Sequence, residues 1–256
     1  MSAELRTEAL TVRYGHAVAV SDASITVPGG AVTALVGPNG AGKSSLLLAA
    51  YGSVAASGRV LLDGEDLSRL PPISRARGGV ALVPQGRRLF PRLSVKDNLR
   101  VMAETLRLPA SCVDEALDRF PNLRERVRVP AGVLSGGEQQ MLVVSRALMG
   151  SPRVLLLDEM VTGLAPRIIL ELAETVKELA RSGVAVLLAE PTIGILSPTV
   201  TRGYVLVRGQ VAASTEDGGV SLEKAYQSAL GIQLRSDAEP SGRRAEETEP
   251  GATSPP

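Results

Sequence analysis

The chain has 256 residues, enough for one large domain or two small ones, and its 28 Lys plus Arg against 27 Asp plus Glu leave a formal net charge of +1. That balance argues against nucleic-acid binding through bulk positive charge, and two Phe, four Tyr and no Trp argue against a base-stacking or carbohydrate platform. A single cysteine (Cys112) and a single histidine (His16) exclude an internal disulfide and speak against a cysteine- or histidine-built metal cluster, while a 44% apolar composition supports a sizeable, largely aliphatic core.

The opening stretch, MSAELRTEALTVRYG, carries acidic residues early and no apolar h-region, so it does not read as a secretory signal. No run reaches the roughly 18 apolar residues of a bilayer span, and the chain is expected to be soluble and cytoplasmic. LTV at 10–12, VAVSDASITV at 18–27 and AVTALVG at 31–37 read as strands, with Pro28-Gly29-Gly30 as a turn between the last two. GKSSLLLAAYG is a helix following a glycine-rich loop. SGRVLLDGEDLSRL predicts a strand, a tight turn at Asp63-Gly64 and a short second element, and RGGVALVPQ a buried strand ending at Pro84-Gln85.

From about residue 90 to 150 the pattern becomes helical. SVKDNLRVMAETLRL and SCVDEALDRFPNLRERV have helical apolar spacing, with Ser94 and Ser111 as expected N-caps followed three positions later by Asp97 and Asp114. GGEQQMLVVSRALMG is a further helix. The strand RVLLLDE, the amphipathic helix APRIILELAETVKELARSG, the strand VAVLLAE and the hairpin RGYVLVRGQVAA complete the pattern. Near-continuous apolar strands separated by helices predict an α/β fold with a mostly parallel core. The last 22 residues, 235–256, lack periodicity, contain four prolines and read as a disordered, solubilising tail.

Gly37-Pro38-Asn39-Gly40-Ala41-Gly42-Lys43-Ser44 fits G-x-x-x-x-G-K-[ST], preceded by a strand and followed by a helix that begins with Ser44 and Ser45. Glycines let the backbone bend round a β-phosphate with several N–H groups aimed inward, and the helix start adds its positive end. Lys43 is placed to reach the β and γ oxygens and Ser44 to ligate Mg²⁺. The second acidic element is Arg153-Val154-Leu155-Leu156-Leu157-Asp158-Glu159, an apolar strand delivering two carboxylates at its C-terminal end, where ligands bind in such sheets. Asp158 is expected to hold Mg²⁺ through water and Glu159 to polarise the attacking water. A ligand-free glycine turn and an acidic turn cap are the plainer alternatives, and the two motifs together favour nucleotide hydrolysis over both.

With these motifs in place, the sequence resembles the nucleotide-binding subunits of ABC transporters from about residue 5 to 234. The most specific phrase is Leu134-Ser135-Gly136-Gly137-Glu138-Gln139-Gln140, which looks like the family signature. The resemblance implies a P-loop NTPase core with an N-terminal antiparallel β region and a helical, signature-bearing insertion, in one ATPase domain over 1–234. It implies ATP and Mg²⁺ as ligands and a head-to-tail dimer, with each ATP between one subunit's phosphate loop and the other's Ser135, Gly136 and Gly137. Gln85 matches the glutamine that senses Mg²⁺ and the attacking water, and Tyr14 the residue that stacks on adenine. His16 is not at the usual switch position and reads as a surface residue.

Within that family, Gln85-Gly86-Arg87-Arg88-Leu89-Phe90-Pro91, the run from Phe120 to Arg126, Gln139-Gln140 and Gly163-Leu164-Ala165-Pro166 look most like the branched-chain amino-acid uptake group and its urea and amide relatives. The chain is more like the shorter of that system's two ATPase subunits. This implies a related ATPase as partner (a homodimer remains open), two integral membrane permease subunits, an external solute-binding protein, no nucleic acid, and a place on the inner face of the plasma membrane. Phe90 is the preferred anchor for a membrane partner, with a buried core role as the alternative. Two departures stand out: Pro191 occupies the switch position, where it offers no donor to a γ-phosphate, and Met160 replaces the proline that usually follows the catalytic Glu. Two other outcomes follow from these features: a degenerate subunit that binds ATP with little turnover, or a soluble ABC ATPase outside transport.

Overall fold

A computed structural model describes residues 2–231. The predicted tail at 235–256 lies outside the described residues. In chain order the elements are β1 (Glu4–Tyr14), β2 (Ala17–Pro28), β3 (Val32–Val36), α1 (Lys43–Tyr51), β4 (Ala56–Leu62), β5 (Glu65–Asp66), α2 (Pro72–Arg77), β6 (Val80–Val83), α3 (Val95–Leu106), α4 (Ser111–Arg119), α5 (Pro121–Glu125), α6 (Gly136–Leu148), β7 (Val154–Asp158), α7 (Pro166–Arg181), β8 (Ala185–Glu190), β9 (Arg202–Val207), β10 (Gln210–Thr215) and α8 (Gly218–Ala229).

The strands form two sheets. One has the order β2-β1-β4-β5 and is antiparallel throughout; the other runs β10-β9-β3-β8-β7-β6 and is parallel except for the closing β9–β10 hairpin. Every residue of β3, β7 and β8 is buried, as expected of central parallel strands covered on both faces. Two large apolar clusters flank the parallel sheet. One joins Leu155, Leu157 and Leu188 to Leu99, Leu117, Leu123 and Leu142 of the helices, and the other joins Leu156 and Leu187 to Leu46, Leu47, Leu5 and Val27. The helices α3 to α6 therefore share a core with the sheet.

Two buried polar side chains hold connections in place. The Arg75 guanidinium donates to the carbonyls of Ala49 and Ala50 at 2.9 and 2.8 Å, supplementing the backbone bonds at the C-terminal end of α1, and also reaches the carbonyls of Leu70 and Ser68. Asn98 accepts from the Phe90 N–H at 2.9 Å and donates back to the Phe90 carbonyl at 3.0 Å, fastening the segment after β6 to α3.

Ser94 caps α3 as expected, accepting from the Asp97 N–H at 3.1 Å. Ser111 does not cap α4. The helix is preceded by Ala110, with no side-chain cap, and Ser111 is already its first residue. The Pro109 carbonyl engages the Cys112 N–H at 3.2 Å, so the first turn is closed from the backbone and the chain enters the helix one residue early. The helix predicted through Val127 also breaks at Phe120, because Pro121 cannot donate to the preceding turn and starts α5 instead. Among the described residues no helix is long and apolar enough to cross a membrane.

Candidate nucleotide-binding and hydrolytic site

The loop between β3 and α1 is shaped by its neighbours. A Cβ on Gly37 would run into the Leu206 carbonyl of β9, and one on Gly42 into the Ala19 carbonyl of β2, while Gly42 also needs a left-handed φ of 106°. The Ala41 carbonyl accepts from the Gly209 N–H at 2.9 Å, so the β9–β10 turn braces the loop from outside. No side chain caps α1, which leaves its first N–H groups for a ligand. Lys43 is only 4% exposed, and its amine donates to the Gly37 and Pro38 carbonyls at 2.7 and 3.1 Å. Burial lowers its pKa, opposed by the charges of Glu159, Asp158 and Glu190.

Sheet order explains why three carboxylates converge here. β8 lies between β3 and β7, with Glu190 opposite Val36 and Ala189 opposite Asp158. The strand-end residues Asp158 and Glu190 therefore flank the start of the phosphate loop. The Ser44 hydroxyl donates to Asp158 Oδ1 at 3.0 Å. Burial pushes the Asp158 carboxyl up from the ordinary range, against that hydrogen bond, and the Glu159 charge pushes it further. Gln85 Nε2 donates to Glu159 Oε2 at 2.5 Å, joining the end of β6 to the end of β7. Glu190, 1% exposed, has its pKa pushed up to about 7, first by burial and then by the Glu159 and Asp158 charges, against the backbone donors of Val161 and Met160.

This donor set fits Mg²⁺. One hydroxyl and one carboxylate in contact, beside two further carboxylates and a single lysine, form an oxygen-rich, anion-heavy corner. No group of three or more His, Cys, Asp or Glu residues among the described residues makes a self-sufficient metal cage. Magnesium commonly takes one or two protein oxygens and completes its shell with water and phosphate.

The raised Glu190 pKa predicts a pH dependence of stability. Between the ordinary value of 4.5 and about 7 the folded state holds a proton that the unfolded state has lost. The stabilisation is complete below 4.5 and is lost as pH rises through 7. Glu190→Gln is therefore expected to be more stable than the wild type at pH 8 and to lose that advantage at pH 5. Parallel denaturant melts at the two pH values check it; an advantage equal at both would assign the effect to packing.

Ser135 to Gly137 stand apart from this cluster. Ser135 caps α6 in a reciprocal box, its hydroxyl accepting from the Glu138 N–H at 3.3 Å and its own N–H donating to Glu138 Oε2 at 2.8 Å. Among the described residues no hydrogen bond ties them to the phosphate loop. Arg87 links the two regions indirectly, donating to Gln139 Oε1 at 3.2 Å while its guanidinium packs beside Gly136. Tyr14, 49% exposed, ends β1 at a hairpin whose return strand touches Gly42 through Ala19. Phe90 is 44% exposed, with the Arg146 guanidinium 5.6 Å above its ring, whereas Phe120, the other phenylalanine, is buried. The core alternative for Phe90 is thereby removed. Pro191 directly follows Glu190, and His16 is exposed. Sequence reasoning left Glu190 and the bracing Leu206–Gly209 segment out of the site.

A glycine-rich loop opening a helix, braced lysine included, beside a strand-end Asp-Glu pair defines a P-loop nucleotide hydrolase. The family profile described as "ABC transporter" matches residues 20–162. The chain is 43% identical over 212 residues to the high-affinity branched-chain amino acid transport ATP-binding protein BraG of Pseudomonas aeruginosa, covering 82% of this chain and 90% of that one. It is 36% identical over 218 residues to a probable branched-chain amino acid transport ATP-binding protein LivF of Archaeoglobus fulgidus (81% and 90% covered). Against the lipopolysaccharide export ATP-binding protein LptB of Escherichia coli it is 32% identical over 218 residues (82% and 90%). A crystal structure of the ADP conformation of an ATP-binding cassette of an ABC transporter superposes with a TM-score of 0.78 at 27% identity, covering 91% of this chain and 98% of that one. The chain belongs to the ABC transporter ATP-binding family, as a relative of the BraG and LivF type. It is an ATP-hydrolysing transporter subunit; its relatives divide between amino-acid uptake and lipopolysaccharide export.

Proposed function

We propose that this protein powers import of branched-chain amino acids or a related small solute such as urea or an amide. The observation that carries the ATPase part is the cluster in which Ser44 bonds Asp158 and Gln85 bonds Glu159 beside Lys43. The solute class rests on the higher identity to the two branched-chain relatives than to the exporter, together with the Gln85–Pro91 and Gly163–Pro166 phrases. The ATPase domain is assigned to 1–234, with its helical insertion at about 90–150.

In this reading the loop from Gly37 to Ser45 wraps the phosphates with backbone N–H groups, and Tyr14 stacks on the adenine. The Lys43 amine exchanges the Gly37 and Pro38 carbonyls for β and γ oxygens. Magnesium, when bound, would neutralise phosphate charge, with Ser44, Gln85 and Asp158 as the residues that would hold it. Glu159 orients the water for attack in line with the γ-phosphorus and takes its proton as the bond to the departing ADP oxygen breaks. Ser135, Gly136 and Gly137 serve the ATP bound by a second subunit, which is a related ATPase or another copy. Two permease subunits dock through the surface around Phe90 and place the protein on the inner face of the plasma membrane, supplied by an external solute-binding protein.

The test is purification of the complex from native membranes, with its subunits identified and ATP-dependent uptake of leucine, urea and a short amide measured in proteoliposomes. Stimulation by any of these solutes supports the reading. Co-elution with lipopolysaccharide-export components, or with no membrane subunit, overturns it. One observation favours a second reading: Pro191 removes the switch side chain, as in a subunit that binds ATP while a partner hydrolyses it. Turnover of the complex unchanged by Glu159→Gln would favour that reading.

A further inference from the structure

The turn after β7 aims Glu159, and its geometry is unusual. Glu159 has a φ of 47°, a left-handed conformation that a non-glycine side chain keeps only where its surroundings impose it. Its N–H donates to the Ala189 carbonyl at 2.9 Å, one residue before Glu190. The Glu190 carboxylate takes a further donor of the same turn: its Oε1 accepts the Val161 N–H at 3.3 Å. Two N–H groups of the turn, at 159 and 161, are thus held by two successive residues at the end of β8.

We propose that Glu190 is a positioning residue for hydrolysis: its carboxylate fixes the 159–161 turn, and so the direction in which Glu159 meets Gln85 and the attacking water. The inference rests on the reading that Glu159 orients that water. Its requirement is an acceptor of the right reach. Gln supplies such an acceptor without charge, Asp keeps the charge but stops one methylene short, and Ala supplies neither. Lys43, Asp158 and Glu159 all lie within electrostatic range of Glu190, so a charge role is the competing explanation to be separated.

The experiment measures kcat and KM for MgATP, with melting temperature, on the full-length protein in its purified complex for Glu190→Gln, Glu190→Asp, Glu190→Ala and Glu159→Gln. Glu190→Gln is expected to stay within about threefold of wild-type kcat, while the Asp and Ala variants fall by roughly tenfold or more at unchanged KM. Asp near wild type with Gln impaired would overturn the proposal in favour of charge. Equal kcat in all three Glu190 variants, or a change confined to KM, would also overturn it. If Ala does not fold, the Gln–Asp contrast decides alone. A wild type no faster than Glu159→Gln would instead defeat the underlying assignment of Glu159.

Discussion

Glu159→Gln is expected to bind MgATP at least as well as the wild type and to lose turnover by about 10²–10³-fold. Gln conserves the size of the side chain and an oxygen that can accept from Gln85, so the contact between the ends of β6 and β7 survives. The lost element is the carboxylate proposed to take the proton of the attacking water. Removing its charge also relieves its neighbours, since Glu159 helps to push up the pKa of both Asp158 and Glu190. Asp158 then ionises more readily, which favours the metal-bearing state and keeps nucleotide affinity from falling. Phosphate release at saturating MgATP and calorimetric titration of binding separate the two effects. Retained turnover would remove Glu159 from the chemistry; loss of binding together with turnover would make it a structural residue.

The residues proposed to contact phosphate are legible in sequence because their constraint is local. A phosphate loop needs its glycines, lysine and hydroxyl at fixed offsets along one strand–loop–helix unit, and Asp158-Glu159 announces itself by following an apolar strand. Capping of α3 and α6 is local in the same sense. Glu190 was hidden because its role depends on sheet order. Only the placement of β8 between β3 and β7 puts the end of VAVLLAE against the turn after Glu159, and parallel strand order is not encoded in any one segment. The support given by Gly209 to Ala41 is concealed for the same reason. Two helices also escaped sequence reading. The six residues of α2 start at the second of two prolines and are too few to show periodicity, and α8 opens with Gly218-Gly219, whose helix propensity is poor. For Phe90 the deciding fact is exposure, set by the tethering of its backbone to Asn98 from a different element.

Lys43→Ala is expected to weaken MgATP binding by roughly 30- to 100-fold, with a smaller loss for ADP. Two effects act in the same direction. The amine proposed to reach β and γ oxygens is gone, and a charge-assisted contact in a partly desolvated site is among the stronger polar interactions. The corner then holds Asp158, Glu159 and Glu190 without the cation that offsets them. All three exert an upward pull on the Lys43 pKa, and the Lys43 charge in turn holds the Asp158 pKa down. Without it the Asp158 carboxyl, already pushed up by burial, holds its proton to higher pH and offers the metal a weaker oxygen. The loss of affinity should therefore grow as pH is lowered. Titrations of ATP and ADP over a descending pH series, with and without Mg²⁺, read the metal-linked part directly. Unchanged affinity would mean that the amine stays on the Gly37 and Pro38 carbonyls as a brace for the loop; a loss identical for ATP and ADP would confine its contact to the β-phosphate.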